Sequence, residues 1–374
     1  MKKLKLGFIG GGINSAVGNT HRIASQMDNR WILEAGCFSQ NNEINIKTSN
    51  QYGIAQNRTY GSWRDLLKNE KEKLDAVCIL TPTNYHSEIV IEALELGYAV
   101  ICEKSLGSNI EEVTKIEETV RKNKGFLAVT YNYTGYPMLR ELRQIITDGK
   151  LGKLTQIHIE MPQEGFLRLD KQGKIPKPQN WRLKDGEIPT ISLDLGVHLH
   201  HMIYFLSGER PLEVVADQVT FGNFKEVIDN VLCIARYTGG MRSQIWYSKT
   251  ALGNRNGLRV RVFGELGSAE WYQMNPEELK FNSIYGKYEV IDRASIVSIA
   301  DELRYNRFKS GHPAGFVEAF ANYYYDIADS LIYFKEQGSY FSPFIFNERQ
   351  AKEGLKMLAA ISKSAKNGMW VEIT

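Results

Sequence analysis

Residues 4–12 read Leu4-Lys5-Leu6-Gly7-Phe8-Ile9-Gly10-Gly11-Gly12. A mostly apolar run such as Leu4 to Gly10 suits a strand buried on both faces. The glycines that end it predict a tight turn with uncovered backbone N–H groups. Helical spacing follows from Val17 to Met27. Strand, glycine turn and helix in that order make a cradle for a dinucleotide pyrophosphate, because a Cβ atom would hold the phosphates off the helix N-terminus. Gly10 and Gly12 fill the first two places of G-x-G-x-x-G, Ile13 and Asn14 continue the loop, and Ser15 stands where the third glycine belongs. Gly18 comes three residues later, so a longer turn is expected.

The alternation continues for about a third of the chain. Strands are expected at Trp31 to Ser39, Asp75 to Thr81, Tyr98 to Cys102 and Gly125 to Tyr131. Helices are expected around Glu43 to Tyr52, at Asn84 to Leu96 and at Ile110 to Lys122. Strands alternating with helices of this length imply a parallel, doubly wound sheet with right-handed crossovers. After Met138 to Ile146, one amphipathic helix, the pattern changes to closely spaced strands: Leu154 to Glu160, Leu212 to Phe221, Val231 to Tyr237, Met241 to Tyr247, Leu258 to Phe263 and Ser268 to Tyr272. These predict a mostly antiparallel, open-faced sheet in an α+β domain. Helices at Gly315 to Phe334 and Asn347 to Lys366 end the pattern. The expected division is a Rossmann-type dinucleotide-binding domain, 1–132, and a substrate and oligomerisation domain, 133–374. Glu164 to Glu187, rich in Gly, Pro and charge, reads as a functional or mobile loop.

The 374 residues are 43% hydrophobic and 24% charged, with 46 Lys+Arg against 43 Asp+Glu. This excludes a disordered or fibrous chain and gives no electrostatic reason for a nucleic-acid or membrane partner. No apolar run approaches the ~18 residues of a spanning helix. The apolar stretch after the basic start is too short for an export signal. Cys37, Cys78, Cys102 and Cys233 form no C-x-x-C pair and suit buried free thiols in a reducing, cytoplasmic compartment.

Three places can carry chemistry. Ser39, at the end of the second strand, is followed by Gln40, Asn41 and Asn42. There is no carboxylate for the ribose hydroxyls and no basic residue for a 2′-phosphate, which leaves NAD and NADP open with a lean to NADP. Glu103-Lys104-Ser105 follows a strand, where doubly wound sheets bind ligands. Asp194 and His198, with His200 and His201 beside them, are four apart and share a helix face. A carboxylate beside an imidazole suits a general base. Asp194, His198 and His201 as a metal site lack an obvious fourth ligand, so no metal is expected.

Together, GFIGGG with His21-Arg22, LTPTNYH, EKS, TYNYTGYP and D-L-G-x-H resemble the Gfo/Idh/MocA oxidoreductases, from the first strand to Trp370-Val371. The resemblance implies the same two-domain plan and an NAD or NADP cofactor. It makes Lys104 the counterpart of the catalytic lysine of E-K-P that contacts substrate and nicotinamide, with Glu103 before it also expected at the cofactor and Ser105 in place of proline. Asp194 and His198 resemble the catalytic pair. Thr81, Pro82 and His86 imply contacts around the nicotinamide ribose, and Asn132 and Tyr133 a segment joining the domains at the active site. Arg182 and His312 resemble pocket-lining residues.

The implied activity is hydride transfer between nicotinamide and a secondary alcohol or ketone of a sugar, cyclitol or related polyol lying between the domains. His198 is the base oriented by Asp194, and Lys104, as an ammonium, is the hydrogen-bond donor that stabilises the developing alkoxide. The same residues would serve a redox-neutral, NAD-dependent glycoside-cleaving enzyme. A non-catalytic cofactor-sensing binding protein need not keep all three. Trp246, Tyr247, Trp271 and Tyr272 suggest either a homo-oligomer, dimer or tetramer, through the second sheet or packing within the chain.

Overall fold

The computed structural model describes residues 3–374. They form two compact units: residues up to Gly135 with Phe316–Lys352, and Tyr136–Gly315 with Glu353–Thr374.

The first unit holds β1 (Leu4–Gly10), β2 (Trp31–Cys37), β3 (Ala76–Leu80), β4 (Ala99–Glu103) and β5 (Leu127–Thr130). They pair in parallel in the order β2-β1-β3-β4-β5. The connections contain α1 (Gly18–Met27), α2 (Asn42–Tyr52), α3 (Trp63–Glu70), α4 (His86–Glu95) and α5 (Ile110–Asn123). Every residue of β3 and β5 is buried, as expected of strands covered on both faces. Strand order reverses between β1 and β3, where Gly10 is the register partner of Leu80. The carboxyl ends of these strands therefore flank the crevice in which such sheets bind ligands. The long helix Phe316–Gln337 also belongs to this unit. Trp31 Nε1 donates to Tyr324 O at 2.9 Å, and the Tyr323 hydroxyl to Val129 O at 2.6 Å.

The second unit begins with α6 (Pro137–Thr147) and β6 (Leu154–Pro162), then α7 (Val197–Ser207). Next come β7 (Pro211–Val219), β8 (Asn230–Tyr237), β9 (Arg242–Ser248), β10 (Arg259–Gly264), β11 (Gly267–Tyr272), β12 (Asn275–Ser283) and β13 (Tyr288–Ile291). With α8 denoting Phe316–Gln337, the chain ends in α9 (Glu348–Asn367) and β14 (Val371–Glu372). The nine strands run β13-β12-β11-β10-β6-β9-β8-β7-β14, with β6 and β9 parallel and the other pairs antiparallel. Alternation sorts the four aromatics: Tyr247 and Trp271 are buried in the chain, whereas Trp246 is half-buried and Tyr272 exposed. Leu232 and Ile234, exposed on β8, share the open face with Trp246, the register partner of Leu232.

Candidate active site

Gly10 and Gly11 have φ of +86° and +74°, a region that side chains with a Cβ rarely adopt. The close approach of loop to helix falls on Gly18, where a Cβ would lie 2.1 Å from Gly11 O. Gly18 thus takes the packing role expected of the third fingerprint glycine. Ser15, freed from that role, accepts a 3.2 Å hydrogen bond from the Gly18 N–H. Ile13 N–H donates to Thr48 Oγ1 at 3.1 Å, and the Tyr52 hydroxyl to Gly11 O at 3.1 Å. Asn14 is exposed. At the end of β2, Ser39 Oγ accepts from Asn41 N–H at 3.1 Å, and Asn41 caps α2.

Two buried polar atoms lack a protein partner at strand ends of this sheet: Thr81 Oγ1 after β3 and Asn132 Nδ2 after β5. An unsatisfied buried polar atom costs about 1–3 kcal/mol, so each is suited to a ligand. With the glycine cradle, these residues fit a dinucleotide. Pro82 is exposed beside Thr81. His86, by contrast, is buried with both ring nitrogens against backbone carbonyls: Nδ1 is 2.7 Å from Ser105 O and Nε2 2.8 Å from Thr81 O. It braces the two loops, and burial holds its pKa below the usual histidine range.

Glu103 ends β4 in a buried polar network. Its Oε1 accepts from His21 Nε2 at 2.9 Å and from the Thr130 hydroxyl. His21 Nδ1 is 2.7 Å from the Tyr324 hydroxyl, which is 3.3 Å from Cys78 Sγ. Burial pushes the Glu103 carboxyl upward, but His21, Lys104 and Thr130 together hold it below the usual carboxylate range. Lys104 is half-buried next to it, and the Lys104–Ser105 peptide is cis. Tyr133, buried, faces Phe316 at 6.1 Å between ring centroids.

In the second unit, Asp194 lies in a single π-helical turn, Ser192–Gly196, that runs into α7. Asp194 and His198 therefore stand four apart across a π-to-α junction, where a plain α-helix was expected. Asp194 Oδ2 accepts from Lys249 Nζ at 2.7 Å and from Arg182 Nη1. Lys249 also donates to Gln163 Oε1 at 3.3 Å. The irregular loop thus delivers Arg182 to Asp194, and Lys249, just past β9, is a partner the motifs missed. His198 is buried in the first turn of α7. His200 and His201 belong to the core: burial pushes His200 down to about 4 and His201 well below the usual range. Among the described residues, no group of three or more His, Cys, Asp or Glu side chains is arranged to hold a metal ion. His312 is exposed; its carbonyl accepts from Arg293 at 2.9 Å and its Nδ1 is 3.2 Å from Lys309 O. The structure joins it to the Arg293–Glu277 ion pair.

A parallel sheet with a glycine cradle at its switch point defines a dinucleotide-dependent enzyme class. Residues 4–131 match the oxidoreductase-family model with an NAD-binding Rossmann fold, and residues 139–270 match the GFO/IDH/MocA C-terminal domain. The uncharacterized oxidoreductase YfiI of Bacillus subtilis is 29% identical over 386 aligned positions, covering 99% of this chain and 97% of that protein. Myo-inositol 2-dehydrogenase of Thermotoga maritima is 28% identical over 53% of this chain and 56% of its own. An inositol dehydrogenase homologue from Azotobacter vinelandii, solved with NADH and myo-inositol, superposes with a TM-score of 0.89 at 26% identity, covering 99% of this chain and 98% of that one. The chain belongs to the Gfo/Idh/MocA family. It is an NAD(P)-dependent dehydrogenase.

Proposed function

We propose that this dehydrogenase oxidises a secondary alcohol of a sugar, cyclitol or related polyol, or reduces the matching ketone. What carries the reading is one chain holding a strand-end lysine, Lys104, and an Asp194–His198 couple, among relatives that include inositol and levoglucosan dehydrogenases. The glycine cradle, Thr81 and Asn132 would hold the dinucleotide, whose nicotinamide, when bound, supplies hydride acceptance or donation. His198 takes the hydroxyl proton, and Asp194, anchored by Lys249 and Arg182, orients the imidazole. Lys104 donates a hydrogen bond to the developing alkoxide.

The open face of the second sheet, with Leu232, Ile234, Trp246 and Tyr272, receives a second copy of the chain. No helix among the described residues is long and apolar enough to cross a membrane, and the four free, buried cysteines support a reducing cytoplasm. The test is turnover of purified protein with NAD⁺ or NADP⁺ against myo-inositol, levoglucosan, glucose and xylose, read as reduced nicotinamide. Reduction with at least one of them is expected. A cofactor that survives purification, with no net reduction on any of them but cleavage of a glycoside, overturns the net-redox reading.

A further inference from the structure

Glu103 immediately precedes Lys104, and nothing in the chemistry above explains why a carboxylate is buried there. Its exposure is 7%, and that of His21 is 0%. A carboxylate at this depth is costly unless it is hydrogen-bonded. Two donors reach it on one oxygen: His21 Nε2 at 2.9 Å and the Thr130 hydroxyl. An ionised carboxylate only accepts, so His21 Nε2 carries a proton. The opposite ring nitrogen is held by the Tyr324 hydroxyl at 2.7 Å, and Phe320 meets the ring edge-on at 4.8 Å. His21 therefore has its ring plane and both nitrogens fixed. It stands in the first turn of α1, directly after the glycine cradle, and Tyr324 comes from α8. The network joins the helix that opens at the dinucleotide loop to the strand end that carries Lys104.

We propose that His21 is a positioning residue: by donating Nε2–H to Glu103 it fixes a carboxylate anion beside Lys104 and so sets the pose from which the lysine works. This rests on Lys104 being catalytic. Tyr324 holds His21 from behind, and Thr130 aligns the same carboxylate oxygen. The titratable and charged groups around Glu103 are His21 from α1, Lys104 beside it, Cys78 from β3, Cys102 from β4, His86 from α4, Tyr131 after β5 and Tyr324 from α8.

The test follows Glu103 itself, in full-length protein labelled with [δ-13C]glutamate, its resonance assigned by loss in Glu103→Gln. In the wild type the signal is expected to stay in the carboxylate position from about pH 8 down to about pH 5. In His21→Leu it should titrate inside that window, because burial is then opposed by one donor fewer. In His21→Gln, whose amide can donate, it should stay ionised. A signal that remains ionised in His21→Leu overturns the proposal. Should His21→Leu fail to fold, 15N NMR of the wild-type ring decides: a protonated Nε2 supports the assignment, and a bare Nε2 ends it. With the tested polyol and dinucleotide that the wild type turns over, His21→Leu should lower kcat roughly 10- to 100-fold while leaving the KM for that dinucleotide within about twofold. If Lys104→Ala keeps wild-type turnover, the catalytic reading of the lysine fails, although the ionised Glu103 stands. If Lys104→Ala is inactive and His21→Leu is not impaired, the positioning role fails.

Discussion

Lys249 Nζ sits 2.7 Å from Asp194 Oδ2, with side-chain exposures of 9% and 11%. Arg182 donates to the same oxygen. Two cations on one largely covered carboxylate oxygen fix the direction of the Asp194 side chain, as an orienting partner for an imidazole requires. Lys249→Met removes one of the cations paired with Asp194. It should cost on the order of 2–3 kcal/mol by urea unfolding and lower kcat at least ~10-fold. Lys249→Arg should recover most of both. Unchanged kcat in Lys249→Met would detach this lysine from the chemistry.

Lys104→Ala and His198→Ala should each remove ~10²–10⁴-fold of kcat on whichever tested polyol the wild type turns over. NADH binding, followed by fluorescence, should change little, because the cradle at Gly10–Gly12 does not involve either side chain. Weakened NADH binding with intact kcat would reverse the assignment.

Gly18→Ala puts a methyl 2.1 Å from Gly11 O, against backbone that cannot swing aside. The loop or α1 must shift, at a cost of roughly 1–3 kcal/mol. Lower Tm and at least tenfold weaker NADH binding are expected together. Ser15→Gly, by contrast, removes only the loop hydrogen bonds from Val17 and Gly18 N–H and should leave NADH affinity within about threefold.

Cofactor preference should respond to residue 39. Ser39 offers a hydroxyl, already accepting from Asn41 N–H, and no charge. Ser39→Asp supplies a carboxylate for ribose hydroxyls and repels a 2′-phosphate, so the ratio of NADP⁺ to NAD⁺ affinity should fall about tenfold or more. Calorimetric titration with both dinucleotides measures it, and an unmoved ratio would place the adenosine ribose elsewhere.

Stability should fall with acid because of α7. His200 is buried, and its pKa is pushed down to about 4 from an ordinary value near 6.5. The unfolded chain therefore binds the proton first. The contribution of neutral His200 is full above about pH 6.5 and is lost as pH falls toward 4, by roughly 3 kcal/mol. His200→Leu should flatten the urea midpoint across that window. An equally steep pH profile in the variant would assign the acid sensitivity to other groups.

Much of the fold was legible because burial writes a simple code. The fully covered strand β3 appears as an unbroken apolar run and β1 as a mostly apolar one, and the second sheet appears through alternation. The short helix α3, only eight residues with three buried, lacked a long enough period to stand out. Strands β12 and β13 were missed because most of their residues are only partly covered, so hydrophobicity barely alternates. At the site, the rule that singled out Lys104, a lysine just past a strand, applies equally to Lys249. Sequence spacing does not say which strand ends beside Asp194. Gly18 was visible as a glycine, but its contact with Gly11 depends on the length of the intervening loop. The π-helical turn at Ser192–Gly196 has no periodic signature in five residues.

Phe316–Lys352 packs with the amino-terminal sheet, and Tyr324 reaches the buried network behind Glu103. During synthesis, the first 135 residues leave the ribosome with a flank still uncovered and His21 lacking its rear support. They must wait for residues 316–352 before that gap closes. A nucleotide-binding fold whose five strands end at Thr130 is here completed only by a segment that begins at Phe316. A nascent chain stalled before residue 316 should accordingly be an easier target for proteases than the released protein.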